Sequence, residues 1–557
     1  MKKMARSLCL GALLTMMNLS FIAHSEVAPQ GAGKTVQVTI LKDREYNGKY
    51  DSLSHFKKLA GAVGWEFDPN AETTAELKRF GVKTIRCINV DGVTGIFEPD
   101  GTFRITGGTE RLDQNLNTCK ELGAVPHIIF GQSVPGELQA TAKDVEERVS
   151  VLGQQEGQVV YFNGDWQKLR AYWRALYKYI LLDQGFLNAR FEIGNEPDIG
   201  GVFARRLTPE KTPAGSAALY GLYYETYTNV VKAAEQFEKE YPGLRVVIGG
   251  PALAWAFTQK YGDFKWLDRF LKDAAKDKLR VDFIGVHYYG NVSSLNGEYP
   301  MNFPSFVKML KAAKSVRDAT FPGIPFQITE WGASYHTQND PCGYVNATNI
   351  ASAWSAAFLK LMAEQEIDEA IFLVTTDLQL ANTSGLAANG WGWPSLFVNP
   401  QVFGQPWPKT PAHILDMAAR LSGERVTLTS ANKAIDGVAS LDRNKLTIML
   451  WNYAAEIPET SPPENLGKDL RVELDFDQLI SRPGGRMAAD KVSTQMVSEN
   501  LSNSWTIYQK TANVDKGSRL QTVEEKSLSG SGNKYSLLLP KCSVAFLTID
   551  LKPLETK

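Results

Sequence analysis

The chain has few of the residues that metal and redox chemistry require. Its 557 residues include only six histidines and five cysteines, with no His-Glu-x-x-His helix and no cysteine pairs at metal-binding spacing. The glycine pairs lack phosphate-loop spacing, and no Gly-x-Ser-x-Gly elbow occurs with an ordered triad. These shortages argue against a metallohydrolase, and we expect no metal and no cofactor.

The chain also has no excess of charge of either sign. Its 60 lysines and arginines balance 61 aspartates and glutamates, which gives a formal net charge of −1. A nucleic-acid-binding protein would show a basic patch or stripe, so we expect no nucleic-acid partner. The sequence does not indicate an oligomeric state.

Only one long apolar run occurs, and it lies near the N-terminus. Basic residues at positions 2, 3 and 6 precede the run over residues 8–23, and Ala-His-Ser follows at 23–25. This pattern predicts a secretory signal peptide over residues 1–25 and an exported protein, either periplasmic or fully secreted. No later run has the length of a membrane-spanning helix. The remaining cysteines could form a disulfide or stay as thiols; they are Cys87, Cys119, Cys342 and Cys542.

From residue 61 to residue 422, short apolar runs alternate with longer amphipathic segments. We count eight runs of strand length, at residues 63–68, 82–90, 124–131, 189–196, 245–250, 281–289, 325–330 and 369–376. The segments between them carry helical periodicity. Eight strand-then-helix units predict a (β/α)8 TIM barrel over residues 61–422, with its functional groups at the C-terminal ends of the strands.

After residue 423 the pattern changes to short β-rich runs separated by Gly, Ser, Asn and Pro. These runs, at 425–429, 445–453, 470–476, 505–509 and 543–549, predict a C-terminal β-sandwich over residues 423–557. The preceding N-terminal extension, residues 26–60, contains an alternating run at 35–41. This run could add a strand to the sandwich and tie the two ends of the chain together.

Two runs place a carboxylate at the end of an apolar, strand-like segment. Phe-Glu-Ile-Gly-Asn-Glu-Pro-Asp at 191–198 puts Glu196 at the tip of the fourth predicted strand, and Phe-Gln-Ile-Thr-Glu-Trp-Gly at 326–332 puts Glu330 at the tip of the seventh. Two carboxylates that face each other are what cleavage of a glycosidic bond by double displacement requires. Either glutamate alone could instead be a salt-bridged carboxylate at a strand end.

Together these motifs resemble clan A of the retaining glycosidases, and most of all glycoside hydrolase family 39. The resemblance rests on Asn-Glu-Pro after the fourth strand, the glutamate at the seventh, Asp-Phe-Ile-Gly-Val-His-Tyr-Tyr at 282–289, and Leu-Trp-Asn-Tyr at 450–453. It implies hydrolysis of O-glycosidic bonds in an oligo- or polysaccharide, in a family that acts on β-xylosides, α-iduronides and bacterial exopolysaccharides. It further implies that Glu196 is the general acid/base and Glu330 the nucleophile.

Other residues near the strand ends are candidates for substrate contacts. Asn195 resembles the residue that binds the sugar's 2-hydroxyl, but strict strand alternation would turn it away from Glu196, so the strand end must be irregular. Glu192 has the parity of Glu196 and should point into the barrel, where it needs a partner such as Arg86; we interpret it as structural. The further candidates are Arg86, His127, His287 and Tyr289 at strand tips, and Trp65, Trp255, Trp331, Tyr335, Trp391 and Trp393 as sugar-stacking walls.

Two other functions use the same cleft. A catalytically silent carbohydrate-binding protein would need the walls of the cleft but not both carboxylates, and a transglycosylase would use the same pair with a different acceptor. Sugar identity depends on loops, and the longest loops after predicted strands are residues 132–165 and 377–407, with 290–304 a shorter third.

Overall fold

A computed structural model of the chain describes residues 35–64, 71–87, 90, 92–131, 134–139, 162–199, 213–254, 265–290, 303–335, 345–377, 390–454, 467–482, 485–528 and 533–553. The predicted signal peptide, Trp65 and Trp255 lie outside these ranges, as do most of the predicted loops 132–165 and 290–304 and residues 378–389 of the loop 377–407. Within them, every helix is too short or too polar to cross a membrane.

Eight parallel strands form a closed barrel, as the sequence predicts. They run in chain order around the barrel and close where the first strand pairs with the eighth, with Gly61 opposite Ile371. Burial on both faces explains why these strands read as continuous apolar runs. The strands are Gly61–Val63, Thr84–Cys87, Val125–Phe130, Arg190–Ile193, Val247–Leu253, Phe283–Tyr289, Phe326–Gly332 and Glu369–Phe372.

The first barrel strand begins and ends earlier than predicted, at residues 61–63 instead of 63–68. A short antiparallel hairpin that the sequence did not predict, Thr94–Phe97 with Phe103–Gly107, follows the second strand.

Amphipathic helices surround the barrel. In Glu110–Leu122, for example, buried Leu112, Leu116 and Cys119 recur on one face, and the helix ends at Gly123, whose φ of +60° suits glycine. The α-helices of this part of the chain are Leu53–Lys58, Ala71–Arg79, Glu110–Leu122, Trp166–Tyr177, Pro213–Glu240, Trp266–Lys276, Phe303–Thr320, Asn349–Glu364, Pro400–Phe403 and Thr410–Arg420. A π-helical segment, Lys178–Asp183, and 3-10 turns at Gly136–Leu138 and Pro197–Ile199 complete the set.

The C-terminal part folds as the predicted β-sandwich around its own apolar core. The N-terminal strand Val36–Leu41 joins it, antiparallel to Glu424–Ser430 and parallel to Leu470–Asp475, so the chain ends are tied together as predicted. The remaining strands are Ile435–Asp442, Lys445–Asn452, Ser481–Arg482, Gly485–Val497, Gln521–Ser527, Lys534–Leu539 and Ser543–Pro553. A short helix, Asp477–Ile480, lies between two of them.

One predicted sandwich strand is wrong, because residues 505–509 lie in the helix Ser504–Thr511. The side chain of Asn503 accepts a hydrogen bond from the Thr506 amide and so caps this helix. A second short helix, Val514–Ser518, follows. The first of these two helices packs against the chain that follows the eighth barrel strand. There the Trp391 ring contacts the rings of Trp505 and Tyr508.

Candidate active site

The fourth barrel strand ends in an irregular turn that brings two side chains into the barrel mouth. After Ile193, Gly194 has φ +77° and Glu196 has φ +53°, a conformation that costs a non-glycine residue about 1–3 kcal/mol. The Glu196 amide donates to the Ala252 carbonyl at 2.9 Å and holds the turn. This is the irregularity that the predicted role of Asn195 requires, because both Asn195 and Glu196 now contact residues of the site.

Glu330, on the seventh strand, is held by two donors. Arg86 Nη1 donates to Glu330 Oε1 at 2.5 Å, and the Tyr289 hydroxyl donates to Oε2 at 2.7 Å. The pairing register between the sixth and seventh strands shifts just before Glu330. Only 7% of the Glu330 side chain is exposed, so each oxygen sits in a fixed position beneath the barrel mouth.

His287 lies between the two carboxylates. Its Nδ1 is 3.0 Å from Glu196 Oε1 and 3.3 Å from Glu330 Oε2. Burial lowers the pKa of His287 to about 4, so the ring is neutral near pH 7. A neutral ring can hydrogen-bond to either carboxylate without adding a charge to the site.

The two glutamates sit on the same rim and have different environments. One oxygen of Glu196, one of Glu330 and a ring nitrogen of His287 lie within 4.8 Å of one another. Burial raises the pKa of Glu196 to about 7, although Arg86 opposes the shift. These three atoms are close enough to hold a cation, but the Arg86 cation already pairs with Glu330. The arrangement therefore favours proton transfer at Glu196 over metal binding.

A second layer of charge lies below these residues in the barrel. Glu192 is fully buried and accepts from Arg86 Nε at 2.7 Å, with His127 Nε2 at 3.3 Å. The Arg86 cation and His127 hold the pKa of Glu192 well below its usual range despite its burial. The prediction that Arg86 pairs with Glu192 is confirmed. Arg86 Nη2 also donates to Asn195 Oδ1 at 2.8 Å, so one guanidinium links both layers.

Three residues predicted to contact substrate are placed elsewhere. His127 is fully buried beside Glu192 and the Phe283 ring, so a sugar cannot reach it. Trp331 is fully buried against Phe372 because strand alternation turns it away from the side occupied by Glu330. Trp391 is fully buried against the sandwich helices. All three predictions of a sugar contact are wrong.

Arg86 was also predicted to bind substrate, but its side chain is fully buried. It contacts Glu192, Glu330 and Asn195, and it therefore positions these side chains from below. Tyr289 is buried and bonded to Glu330. Among the predicted aromatic walls, Tyr335 is 37% exposed and lies edge-on to Tyr289, with ring centroids 6.1 Å apart.

A buried ion pair that no sequence motif predicts anchors the segment after the eighth strand. Lys409 Nζ bonds Asp377 Oδ2 at 2.8 Å, and both side chains are fully buried. Lys409 also donates to the carbonyls of Trp391 and Trp393 at 3.1 and 2.7 Å. The partners are separated by 32 residues, and no motif marks such a pair.

The comparisons with known proteins agree with this architecture. No family model matches the chain. A β-xylosidase of Geobacillus stearothermophilus is 23% identical over 334 residues, which are 57% of this chain and 55% of that enzyme. The match thus spans about half the length of that relative.

Solved structures match over 93% of the chain. They include a monomeric β-xylosidase from Caulobacter crescentus CB15, with TM-score 0.66, 18% identity and 99% of its chain covered. A GH39 enzyme from Xanthomonas axonopodis pv. citri matches with a TM-score of 0.64, 18% identity and 98% of its chain covered. A bacterial orthologue of human α-L-iduronidase matches with a TM-score of 0.61, 13% identity and 84% of its chain covered. The chain therefore has the barrel-and-sandwich fold of these enzymes, and the resemblance to clan A glycoside hydrolases, most of all to family 39, is confirmed.

Proposed function

We propose that the protein is an exported retaining glycoside hydrolase that cleaves O-glycosidic bonds of an oligo- or polysaccharide. The observation that carries the proposal is the approach of Glu196 and Glu330, whose nearest oxygens lie within 4.8 Å. Retaining enzymes hold their carboxyl groups about 5–5.5 Å apart, whereas inverting enzymes leave about 6.5–9.5 Å for a water molecule. The spacing in this site fits direct attack by a carboxylate.

In the first step the Glu330 carboxylate attacks the anomeric carbon while the bond to the leaving oxygen breaks. Glu196 gives its proton to that oxygen, and a glycosyl ester forms on Glu330. The pKa of about 7 at Glu196 supports this role, because the group is protonated below neutral pH and can donate.

In the second step the Glu196 carboxylate removes a proton from water. The water oxygen attacks the anomeric carbon, the ester bond breaks, and the Glu330 carboxylate is restored. Because both attacks reach the same carbon from opposite faces, the product keeps the anomeric configuration of the substrate. If a sugar hydroxyl replaced water, the same residues would carry out transglycosylation.

Neighbouring residues support these roles. Tyr289 and Arg86 donate to the two oxygens of Glu330 and fix its direction of attack. The amide oxygen of Asn195 is occupied by Arg86, so its NH2 group is the part able to donate to a sugar hydroxyl. Tyr335 offers an exposed ring beside Tyr289 for stacking.

The test is hydrolysis of a panel of aryl glycosides and polysaccharides, with product anomers followed by NMR. β-Xylosides come first, because the named relatives include β-xylosidases. Retention of configuration is the expected result, and incubation with a 2-fluoro glycoside should add its mass to the peptide that contains Glu330. Saccharide binding without turnover or labelling on any sugar would favour a silent carbohydrate-binding protein instead.

The two glutamates are distinguished by leaving-group dependence. Glu196→Ala should still form the glycosyl ester from substrates whose leaving groups need no proton, and azide should restore turnover by entering where the base is missing. Glu330→Ala should lose turnover on every substrate. Equal losses in both variants, neither rescued by azide, would refute the assignment.

Export is tested separately. When the full chain is produced in a bacterial host with a secretory pathway, the exported protein should lack residues 1–25, and N-terminal sequencing should find the new terminus near Glu26. Retention of residues 1–25 would refute this part of the proposal.

A further inference from the structure

We propose that Glu192 is a positioning residue that acts as the permanent counter-ion of Arg86, so that Glu330 can give up its negative charge during the reaction. The inference rests on the proposed function, because it assigns a role within the same double displacement. Glu192 itself cannot touch a sugar, since its side chain is fully buried beneath the reacting groups.

The geometry shows one cation shared between two carboxylates. Arg86 directs Nε to Glu192 at 2.7 Å, Nη1 to Glu330 at 2.5 Å and Nη2 to the Asn195 oxygen at 2.8 Å. Three faces of a single guanidinium are therefore used, and the two anions lie on different sides of it. A movement of Arg86 toward one carboxylate would weaken its bond to the other.

The charges change when the glycosyl ester forms. Before attack, Glu330 carries one negative charge and Glu196 carries a proton; afterwards Glu330 is a neutral ester and the negative charge is on Glu196. Arg86 thus loses its ion-pair partner at Glu330 while its own side chain remains fully buried. An unpaired buried cation is strongly unfavourable, and only Glu192 remains bonded to Arg86 as an anion.

The surroundings of Glu192 are built for a buried carboxylate. The sixth strand has glycine at position 285, where an added Cβ would lie 2.1 Å from Glu192 Oε1. The titratable groups that face Glu192 are Arg86, His127, His287 and Tyr223, whose pKa is raised by burial so that it stays neutral. Burial lowers the pKa of both histidines, so near pH 7 Arg86 is the cation in this group. Glu192 and Arg86 therefore form a neutral pair, which stays neutral throughout the reaction.

The test compares three variants by the rates at which a 2-fluoro glycosyl enzyme forms and breaks down. Glu192→Gln keeps the shape and removes the charge, whereas Glu192→Asp keeps the charge on a shorter side chain. Glu369→Gln is the matched control, because Glu369 is also buried and pairs with an arginine, Arg190, one layer further toward the N-terminal end of the barrel. Thermal unfolding of each variant is measured in parallel.

We expect Glu192→Gln to form the glycosyl ester at least about 100-fold more slowly than the wild type and to break it down faster. The reason is that the variant leaves Arg86 without an anion only while Glu330 is a neutral ester, so that this state alone is destabilised. Glu192→Asp should recover most of the rate of formation. Glu369→Gln should lower the melting temperature and leave both rates near those of the wild type.

The inference is overturned if Glu192→Gln forms the 2-fluoro glycosyl enzyme as fast as the wild type does. It is also overturned if Glu192→Gln keeps more activity than Glu192→Asp, because the shape of the side chain and not its charge would then matter. If Glu192→Gln does not fold, the test rests on Glu192→Asp. The inference requires this variant to form and break down the 2-fluoro glycosyl enzyme at rates near those of the wild type. Failure of the proposed function looks different, because then the wild type itself is not labelled by any 2-fluoro glycoside.

Discussion

The protonation of Glu196 should make the stability of the protein depend on pH in a defined window. Burial raises the pKa of this carboxyl from 4.5 to about 7, and each pKa unit corresponds to about 1.4 kcal/mol. Between pH 4.5 and 7 the folded protein keeps a proton that the unfolded chain has released, so the free energy of unfolding falls as pH rises. The total loss is at most about 3.5 kcal/mol, complete above pH 7.

Glu196→Gln removes this titration while keeping the size of the side chain. Below pH 4.5 the variant and the wild type should be equally stable, and above pH 7 the variant should be more stable by up to about 3.5 kcal/mol. Thermal unfolding of both proteins from pH 4 to pH 8 measures the difference, in which the titration of all other groups cancels. The same ionisation should produce the basic limb of the wild-type kcat/KM profile near pH 7.

A difference in melting temperature between variant and wild type that stays constant from pH 4 to pH 8 would refute this reasoning. It would mean that folding does not raise the pKa of Glu196, so that Glu196 is ionised near neutral pH and cannot be the acid of the first step.

Three further predictions follow from the contacts of the site. Glu330→Gln should lose turnover by several orders of magnitude while binding saccharide as the wild type does, as measured by kinetics and calorimetry; equal turnover would contradict a nucleophilic role. Tyr289→Phe removes the donor to Glu330 and should lower kcat by about 10–1000-fold, and an unchanged kcat would show that this hydrogen bond does not matter in the transition state. Lys409→Met leaves buried Asp377 without its cation and should cost about 3–5 kcal/mol in an unfolding assay. Lys49 pairs with Asp368 through a side chain that is 67% exposed, so Lys49→Met should cost under about 1 kcal/mol in the same assay.

Most of the fold could be predicted because its signals are local. Each barrel strand is a buried run between amphipathic helices, and seven of the eight overlap the predicted runs over most of their length. The error at residues 505–509 has a local cause too: aromatic and β-branched residues resemble a strand, but the Asn503 cap and the packing of Trp505 on Trp391 favour a helix.

The candidate site was predicted less evenly. The placement of Glu196 and Glu330 at strand tips followed from the runs that contain them, and the irregular strand end at Asn195 was required by its parity. The aromatic walls were not predictable in the same way, since a tryptophan at a strand end can face the cleft or the helices. Trp331 and Trp391 face packed protein, and their neighbours come from distant parts of the chain.

The sequence by itself determined that eight strand-helix units would close and that two glutamates would meet at one rim, because side-chain periodicity fixes which way each residue of a strand points. Only the tertiary structure decided how charge is distributed there. Arg86 reaches Glu192 and Glu330 across 106 and 244 residues of chain, and which carboxylate stays paired, which is protonated and which is free to attack depends on burial and distance, which exist only once the barrel is closed.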